Sequence, residues 1–159
     1  MTTKTESNAT EERPRRTPSS RSDGSTPTVL LDEVLPSAVE AISPAVSRVI
    51  ERIKSSPCAP DDEYPVELAL QEALANAVVH GNRLDPRKKV RLSCACRTDR
   101  ALLIVVKDQG RGFDPAQVPN PLVGPNLYSN HGRGLFLISK LMDEVRFEHG
   151  GTELHLIKR

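Results

Sequence analysis

Apolar residues become frequent only from Val29 onward, and their spacing from there divides the chain into extended and helical segments. Val29 to Leu35 predicts a first strand, ended by Pro36. Ser37 and Glu40 follow at capping-box spacing, and Val39, Ile42, Val46, Val49, Ile50 and Ile53 form one stripe at helical spacing. Pro44 interrupts that stripe with Ser43 before it as a second N-cap, so the helix either kinks at Pro44 or begins there. Residues 55–62, rich in Pro, Ser and Asp, predict a loop. A second helix is expected from about Pro65 to His80, with Gly81 as its stop. Val66, Ala69, Leu70, Ala73, Leu74, Ala77 and Val78 cover most of its circumference, which predicts a helix inside the domain. Glu72, in the middle of it, therefore needs a reason.

Two strands are expected near residues 89–97 and 101–107. The second, Ala101 to Val106, is a continuous apolar run and predicts a central strand. A glycine-rich turn follows at Asp108 to Gly112. Residues 114–131 hold Pro115, Pro119, Pro121, Gly124 and Pro125, and predict a long loop of the kind that serves as a lid. Gly132-Arg133-Gly134 then opens a third helix, with Leu135, Ile138, Leu141 and Met142 on its buried side. Val145 and Phe147, a Gly150-Gly151 turn, and Leu154 and Leu156 predict a closing hairpin. This order gives an α+β class: a two-layer α/β sandwich with a mixed, mostly antiparallel sheet and helices on one face.

Composition narrows the function classes. Residues 1–28 hold only two hydrophobic residues, Met1 and Ala9, and predict a disordered tail ahead of one domain at 29–159. Arg13-Pro14-Arg15-Arg16 inside the tail is diluted by Glu11, Glu12 and Asp23, which favours a solvated segment over a binding patch. Over 159 residues, 22 basic side chains against 21 acidic ones leave a net charge of +1, so no global field favours nucleic acid or membrane. No Trp and only 3 Phe and 2 Tyr argue against base-stacking platforms. The absence of a membrane span and of an apolar leader gives cytoplasm as the expected compartment. Cys58, Cys94 and Cys96, an odd set without a CxxC pair, read as small core residues.

Three segments carry candidate chemistry. Glu72, Asn76 and His80 are spaced i, i+4, i+8 and line one strip of the second helix. There Asn76 offers a neutral oxygen to Mg²⁺, and Glu72 can accept a proton from a hydroxyl or water. Asp108, at the end of the most apolar strand, can accept a hydrogen bond from an exocyclic amino group such as that of adenine. Gly110 and Gly112 let the backbone approach a flat ring. At Gly132-Arg133-Gly134 the free N–H groups of a helix start suit phosphate, with charge from Arg133 and His131. Each segment alone also reads as ordinary structure: satisfied buried polar groups, a plain turn, a loosened loop.

In this order and spacing, the three segments resemble the motifs of the GHKL (Bergerat-fold, HATPase_c-like) ATP-binding superfamily. Leu70-Gln71-Glu72-Ala73-Leu74-Ala75-Asn76-Ala77-Val78-Val79-His80-Gly81-Asn82 is similar to its N box. Asp108-Gln109-Gly110-Arg111-Gly112-Phe113 is similar to the first glycine box, and His131-Gly132-Arg133-Gly134-Leu135-Phe136-Leu137-Ile138 to the second. The wording around Glu72, Asn76 and His80 and the Gly151-Thr152 pair most resemble the branch of anti-sigma factors that are also serine-protein kinases. The resemblance covers about residues 29–159.

It implies ATP and Mg²⁺ as cofactors. Glu72 would be the catalytic general base and Asn76 the metal ligand. Asp108 would hold the adenine amino group, with Thr152 helping through water, while Gly110 and Gly112 shape the base pocket. Gly132, Arg133 and Gly134 would contact the phosphates under the lid, with His80 and Asn82 in support. Two features depart from the family pattern: a proline-rich lid without a Thr-Thr-Lys-like stretch, and Arg133 where other members carry an uncharged residue.

A sensor histidine kinase needs a helical hairpin carrying a phosphoacceptor His, and gyrase-like or chaperone-like ATPases need transducing domains; neither is expected from this chain. The resemblance thus implies an anti-sigma factor with serine/threonine-kinase activity toward an antagonist. Its expected partners are a sigma factor, a STAS-type anti-sigma-factor antagonist and a possible homodimer, with no nucleic acid and no membrane. The alternative is a nucleotide-dependent binding regulator without phosphotransfer. In either case part of the helix at 37–54 is a candidate partner-facing element, or else a helix packed on the sheet.

Overall fold

The computed structural model describes residues 26–113 and 130–159, without the side chains of residues 130–132. The tail expected at 1–28 and the lid expected at 114–131 therefore fall almost wholly outside the described residues. The described residues hold five strands: β1 (Thr28–Pro36), β2 (Lys89–Cys96), β3 (Leu102–Lys107), β4 (Glu144–Glu148) and β5 (Glu153–Lys158). Three α-helices accompany them: α1 (Ile42–Lys54), α2 (Tyr64–Ala75) and α3 (Asn130–Leu141).

The strands form one sheet in the order β1-β2-β3-β5-β4, and every ladder among the described residues is antiparallel. β3 lies in the middle, as its unbroken apolar run predicts. Strand alternation sends Val90, Leu92, Cys94, Leu102, Ile104, Val106, Leu154 and Leu156 to one face, where they are buried with the apolar sides of the helices. The architecture is the expected two-layer α+β sandwich. No described helix is long and apolar enough to cross a membrane.

The α1 stripe of Ile42, Val46, Val49, Ile50 and Ile53 is buried in this core, which is the packed-helix reading of that face, while Val39, expected in the same stripe, is exposed ahead of the helix. α1 begins at Ile42, after a short 3₁₀ turn at Val39–Ala41, and Pro44 sits unkinked in its first turn. The Ser37–Glu40 capping box does not form. β1 runs on through Pro36, the residue at the N-cap of the 3₁₀ turn is Ala38, and the Ser37 hydroxyl is buried without a hydrogen-bond partner among the described residues.

α2 is buried along Val66, Ala69, Leu70, Ala73 and Leu74, and it packs against both α1 and α3. Past Ala75 the helix continues but widens into a π-helical segment, Asn76–Gly81. There Asn82 N–H donates to the Ala77 carbonyl at 2.8 Å, an i→i+5 bond. The chain then leaves through Arg83 and Leu84, both in the left-handed region with φ of 54° and 57°. Such a widened, strained helix end recurs at functional sites.

Candidate functional site

The α2 helix and its π-helical end form the common wall of the site. Glu72 and Asn76 stand one turn apart on it, both half-buried. Gly134, the fifth residue of α3, is buried directly against them. A Cβ at Gly134 would lie 3.0 Å from Glu72 Oε2 and 3.6 Å from Asn76 Oδ1, so glycine is what allows the two helices this approach. The Asn76 Nδ2 is buried and finds no hydrogen-bond partner among the described residues.

At the far end of the same wall, Gly81 meets Asp108. A Cβ there would stand 2.5 Å from the Asp108 carboxyl carbon. Asp108 follows β3, and its backbone N–H donates to the Thr152 carbonyl at 2.9 Å, which fixes the strand end against β5. Its Oδ1 accepts the Gly110 N–H at 2.7 Å. Burial pushes the Asp108 carboxyl above the usual carboxylate range, while the Gly110 N–H and the nearby charge of Lys88 pull the other way.

The glycines of the first box are tied to their surroundings by backbone. At Gly110 a Cβ would strike the Gly81 carbonyl oxygen at 2.2 Å. Gly112 has φ of 70°, and a Cβ would sit 1.9 Å from the Gly150 carbonyl oxygen and 3.1 Å from the Thr152 methyl. Phe113 N–H donates to that same Gly150 carbonyl at 2.8 Å, and the Phe113 ring meets Phe147 edge-on at 5.1 Å. Thr152 Oγ1 donates to the His149 carbonyl at 3.0 Å, which leaves its lone pairs free to accept.

Asn82 joins these parts from beneath. It is fully buried, its Nδ2 donates to the Lys89 carbonyl at 3.0 Å, and its Oδ1 accepts the Gln109 N–H at 2.8 Å. Gln109 closes the loop by accepting the Lys89 N–H at 2.7 Å on its side-chain oxygen. The end of the N-box segment, the start of β2 and the first glycine box are thus one hydrogen-bonded unit.

Of the residues singled out from sequence, Glu72, Asn76 and Gly134 form one group, and Asp108, Gly110, Gly112 and Thr152 a second. The wall from Glu72 to Gly81 carries both. Gly132, Arg133 and Gly134 lie inside the first turns of α3 rather than before it, because that helix already begins at Asn130. The first free N–H groups therefore belong to residues just before Gly134, whose own part is close approach. Arg133 is exposed, and the side chain of His131 lies outside the described residues. His80 is exposed, since the wider π turn changes the helical phase after Asn76. Sequence reasoning assigned nothing to Gln109, and a polar residue in a glycine-rich turn gives no signal that would have done so.

Comparison with known proteins gives matches of the same kind. Residues 35–158 match the family of the histidine kinase-like ATPase domain. The chain is 34% identical over 106 residues to the serine-protein kinase RsbW of Bacillus subtilis, covering 62% of this chain and 65% of that protein. It is 29% identical over 104 residues to the anti-sigma F factor of Priestia megaterium, covering 62% of this chain and 70% of that protein. The chain thus spans just under two thirds of the length of the first of these relatives. Among solved structures it is similar to the histidine kinase domain from the Erythrobacter litoralis EL346 blue-light activated histidine kinase. That likeness has 18% identity and a TM-score of 0.47, over 77% of this chain and 60% of that one. With the family match running over most of its length, the chain belongs to the histidine kinase-like ATPase domain family.

Proposed function

We propose that the protein binds Mg²⁺–ATP in this site and acts as an anti-sigma factor with serine/threonine-kinase activity toward an anti-sigma-factor antagonist. The observation that carries the reading is the double contact of one helix wall: Gly134 against Glu72 and Asn76, and Gly81 against Asp108. Segments of three motifs, far apart in sequence, thereby meet on one helix wall. Resemblance to a serine-protein kinase and to an anti-sigma factor supports the activity and the partner class.

The residues present fit the group. The orphaned Asn76 amide, buried beside a glycine, offers an oxygen to Mg²⁺ and an N–H to a phosphate oxygen from one carboxamide. At Gly110, Gly112 and Gly134 a Cβ would meet Gly81, Gly150 and Glu72, so glycine is what lets these segments pack closely around the wall. Bound Mg²⁺ supplies charge neutralisation at the phosphates.

The protein's own groups do the rest. Asp108, ionised, accepts from the adenine amino group, and the Thr152 hydroxyl, already donating to His149, accepts from a bridging water. N–H groups near the start of α3, which begins at Asn130, and the Arg133 guanidinium would bind the phosphates. Glu72 takes the proton from the incoming Ser or Thr hydroxyl as its oxygen bonds the γ-phosphorus and ADP leaves. Phosphate on the antagonist adds charge at its contact with this protein and releases it, freeing the protein to hold the sigma factor.

The test is transfer of radiolabelled γ-phosphate to a STAS-type antagonist. Wild type should label it on Ser or Thr, and Glu72→Gln should lose transfer while still binding ATP. Tight ATP binding by wild type with no labelled antagonist would instead leave a nucleotide-dependent binding regulator.

A further inference from the structure

On the sheet face opposite the helices, the β4–β5 hairpin gathers two carboxylates and two imidazoles. Val145, Phe147, Leu154 and Leu156 turn toward the core, so Glu148, Glu153 and His155 project from the other side. Glu148 stands directly opposite Glu153 in the ladder. Like charges in that position destabilise a strand pair unless a cation lies between them.

Cations and donors are indeed arranged around Glu153. His155 Nε2 lies 2.7 Å from its Oε1, and His149 Nδ1 and Lys107 Nζ each lie 3.2 Å from its Oε2. Lys107 offsets one carboxylate charge; Glu148 contributes a second. One ligand atom from each of Glu148, Glu153 and His155 falls within 4.8 Å of the others. A tetrahedral Zn²⁺ with bonds near 2.0–2.1 Å needs its ligands roughly 3.4 Å apart, a difference that small side-chain rotations close. Imidazole with carboxylate is a donor set for Zn²⁺ rather than for Ca²⁺ or Mg²⁺, which take oxygen.

We propose that Glu148, Glu153 and His155 form a Zn²⁺-binding site on the outer face of the β4–β5 hairpin, with water completing the shell. The ion bridges the two strands across the turn His149–Gly151, where His149, Gly150 and Gly151 all hold positive φ, of 51°, 67° and 84°. It thereby pins a turn that is otherwise strained at a non-glycine residue. The same turn supports the first glycine box, through the Gly150 carbonyl to Phe113 and the Thr152 carbonyl to Asp108. Resting on the nucleotide reading above, the ion is a structural support to the adenine end of the pocket, distinct from the Mg²⁺ at its phosphate end.

The test uses tag-free full-length protein in metal-free buffer, with Zn²⁺ alone and no nucleotide, by titration calorimetry and thermal unfolding. Wild type should bind one Zn²⁺ per chain and unfold at a higher temperature with it. Glu148→Gln and His155→Ala should each weaken binding by at least about tenfold, while a His80→Ala/His131→Ala double variant should bind as wild type does. Without metal, Glu148→Gln should unfold no lower than wild type, since it removes a like-charge opposition. No binding by wild type, or equal binding by Glu148→Gln and wild type, would overturn the proposal. Because nucleotide is absent throughout, either result leaves the ATP reading untouched.

Discussion

The carboxylate of Glu72 rests against the α-carbon side of Gly134, so closely that a methyl group there would stand 3.0 Å from Glu72 Oε2. Two helices separated by some sixty positions in sequence (72 to 134) are held at this distance by the absence of one side chain. The obstacle that Gly134→Ala would raise is the far end of a flexible side chain, so Glu72 turns aside and the fold survives. The exchange even adds helix propensity, by about 1 kcal/mol. Gly134→Ala should therefore keep or raise stability in urea unfolding. Glu72 need give only a few tenths of an ångström, less than the ~1 Å that costs roughly a hundredfold in rate, so the transfer assay should show a loss of about threefold to tenfold. An unchanged rate would separate Glu72 from the chemistry.

Asp108 should behave as a group kept for binding at the expense of stability. Burial raises its folded-state pKa above the unfolded value, so the folded protein holds that proton more tightly. Its ionised form thus costs stability at pH above the folded pKa, and the cost disappears as pH falls below it. Asp108→Asn should leave thermal stability at neutral pH equal or higher. It should weaken ATP by about 1.5–3 kcal/mol, tenfold or more in affinity. In wild type, ATP affinity should begin to fall with acid at a higher pH than an ordinary Asp would give, and titration calorimetry across pH measures both effects.

Asn82 should matter to stability rather than to turnover. Asn82→Ala leaves the Lys89 carbonyl and the Gln109 N–H without their buried partner. Losing two such bonds costs about 2–4 kcal/mol, and strain at Arg83 and Leu84 is then less well held. The urea midpoint should fall accordingly. A midpoint within error of wild type would show that the amide is not the link between the N-box segment and the glycine box.

The cysteines give a probe of the core that no ligand touches. Burial pushes the Cys94 thiol up to about 12, and burial with the neighbouring Cys58 pushes Cys96 up to about 11. Cys58, Cys94 and Cys96 are all free and buried. At pH 8 iodoacetamide should leave the native protein unlabelled over hours and modify all three in urea. Rapid labelling of either β2 cysteine in the native state would contradict the packing of that strand.

Most of this architecture was legible in sequence because apolar spacing reports burial. The unbroken run Ala101 to Val106 placed β3 at the centre, and the broad apolar surface of Val66 to Val78 placed α2 inside. The capping box at Ser37 and Glu40 failed because tertiary pairing extends β1 through Pro36, past the point where local propensity would start a turn. The π widening at Asn76–Gly81 left no trace, since Ala77 and Val78 are buried in either helix type and only the hydrogen-bond partner changes. The start of α3 was misplaced by two residues because glycine in the third and fifth positions reads as loop, although a packed helix tolerates it. For the site, the residues to watch were evident, but the contacts that join them are backbone events at Gly81, Gly110 and Gly150, which side-chain chemistry does not announce.

A single titration of ATP with Mg²⁺ into the full-length protein, followed by heat and by thermal shift, bears on all of this at once. One saturable site per chain should appear, retained by Glu72→Gln and lost or weakened at least about tenfold by Asp108→Asn. A flat titration with no thermal shift, or wild-type affinity in Asp108→Asn, would contradict a nucleotide pocket on this wall.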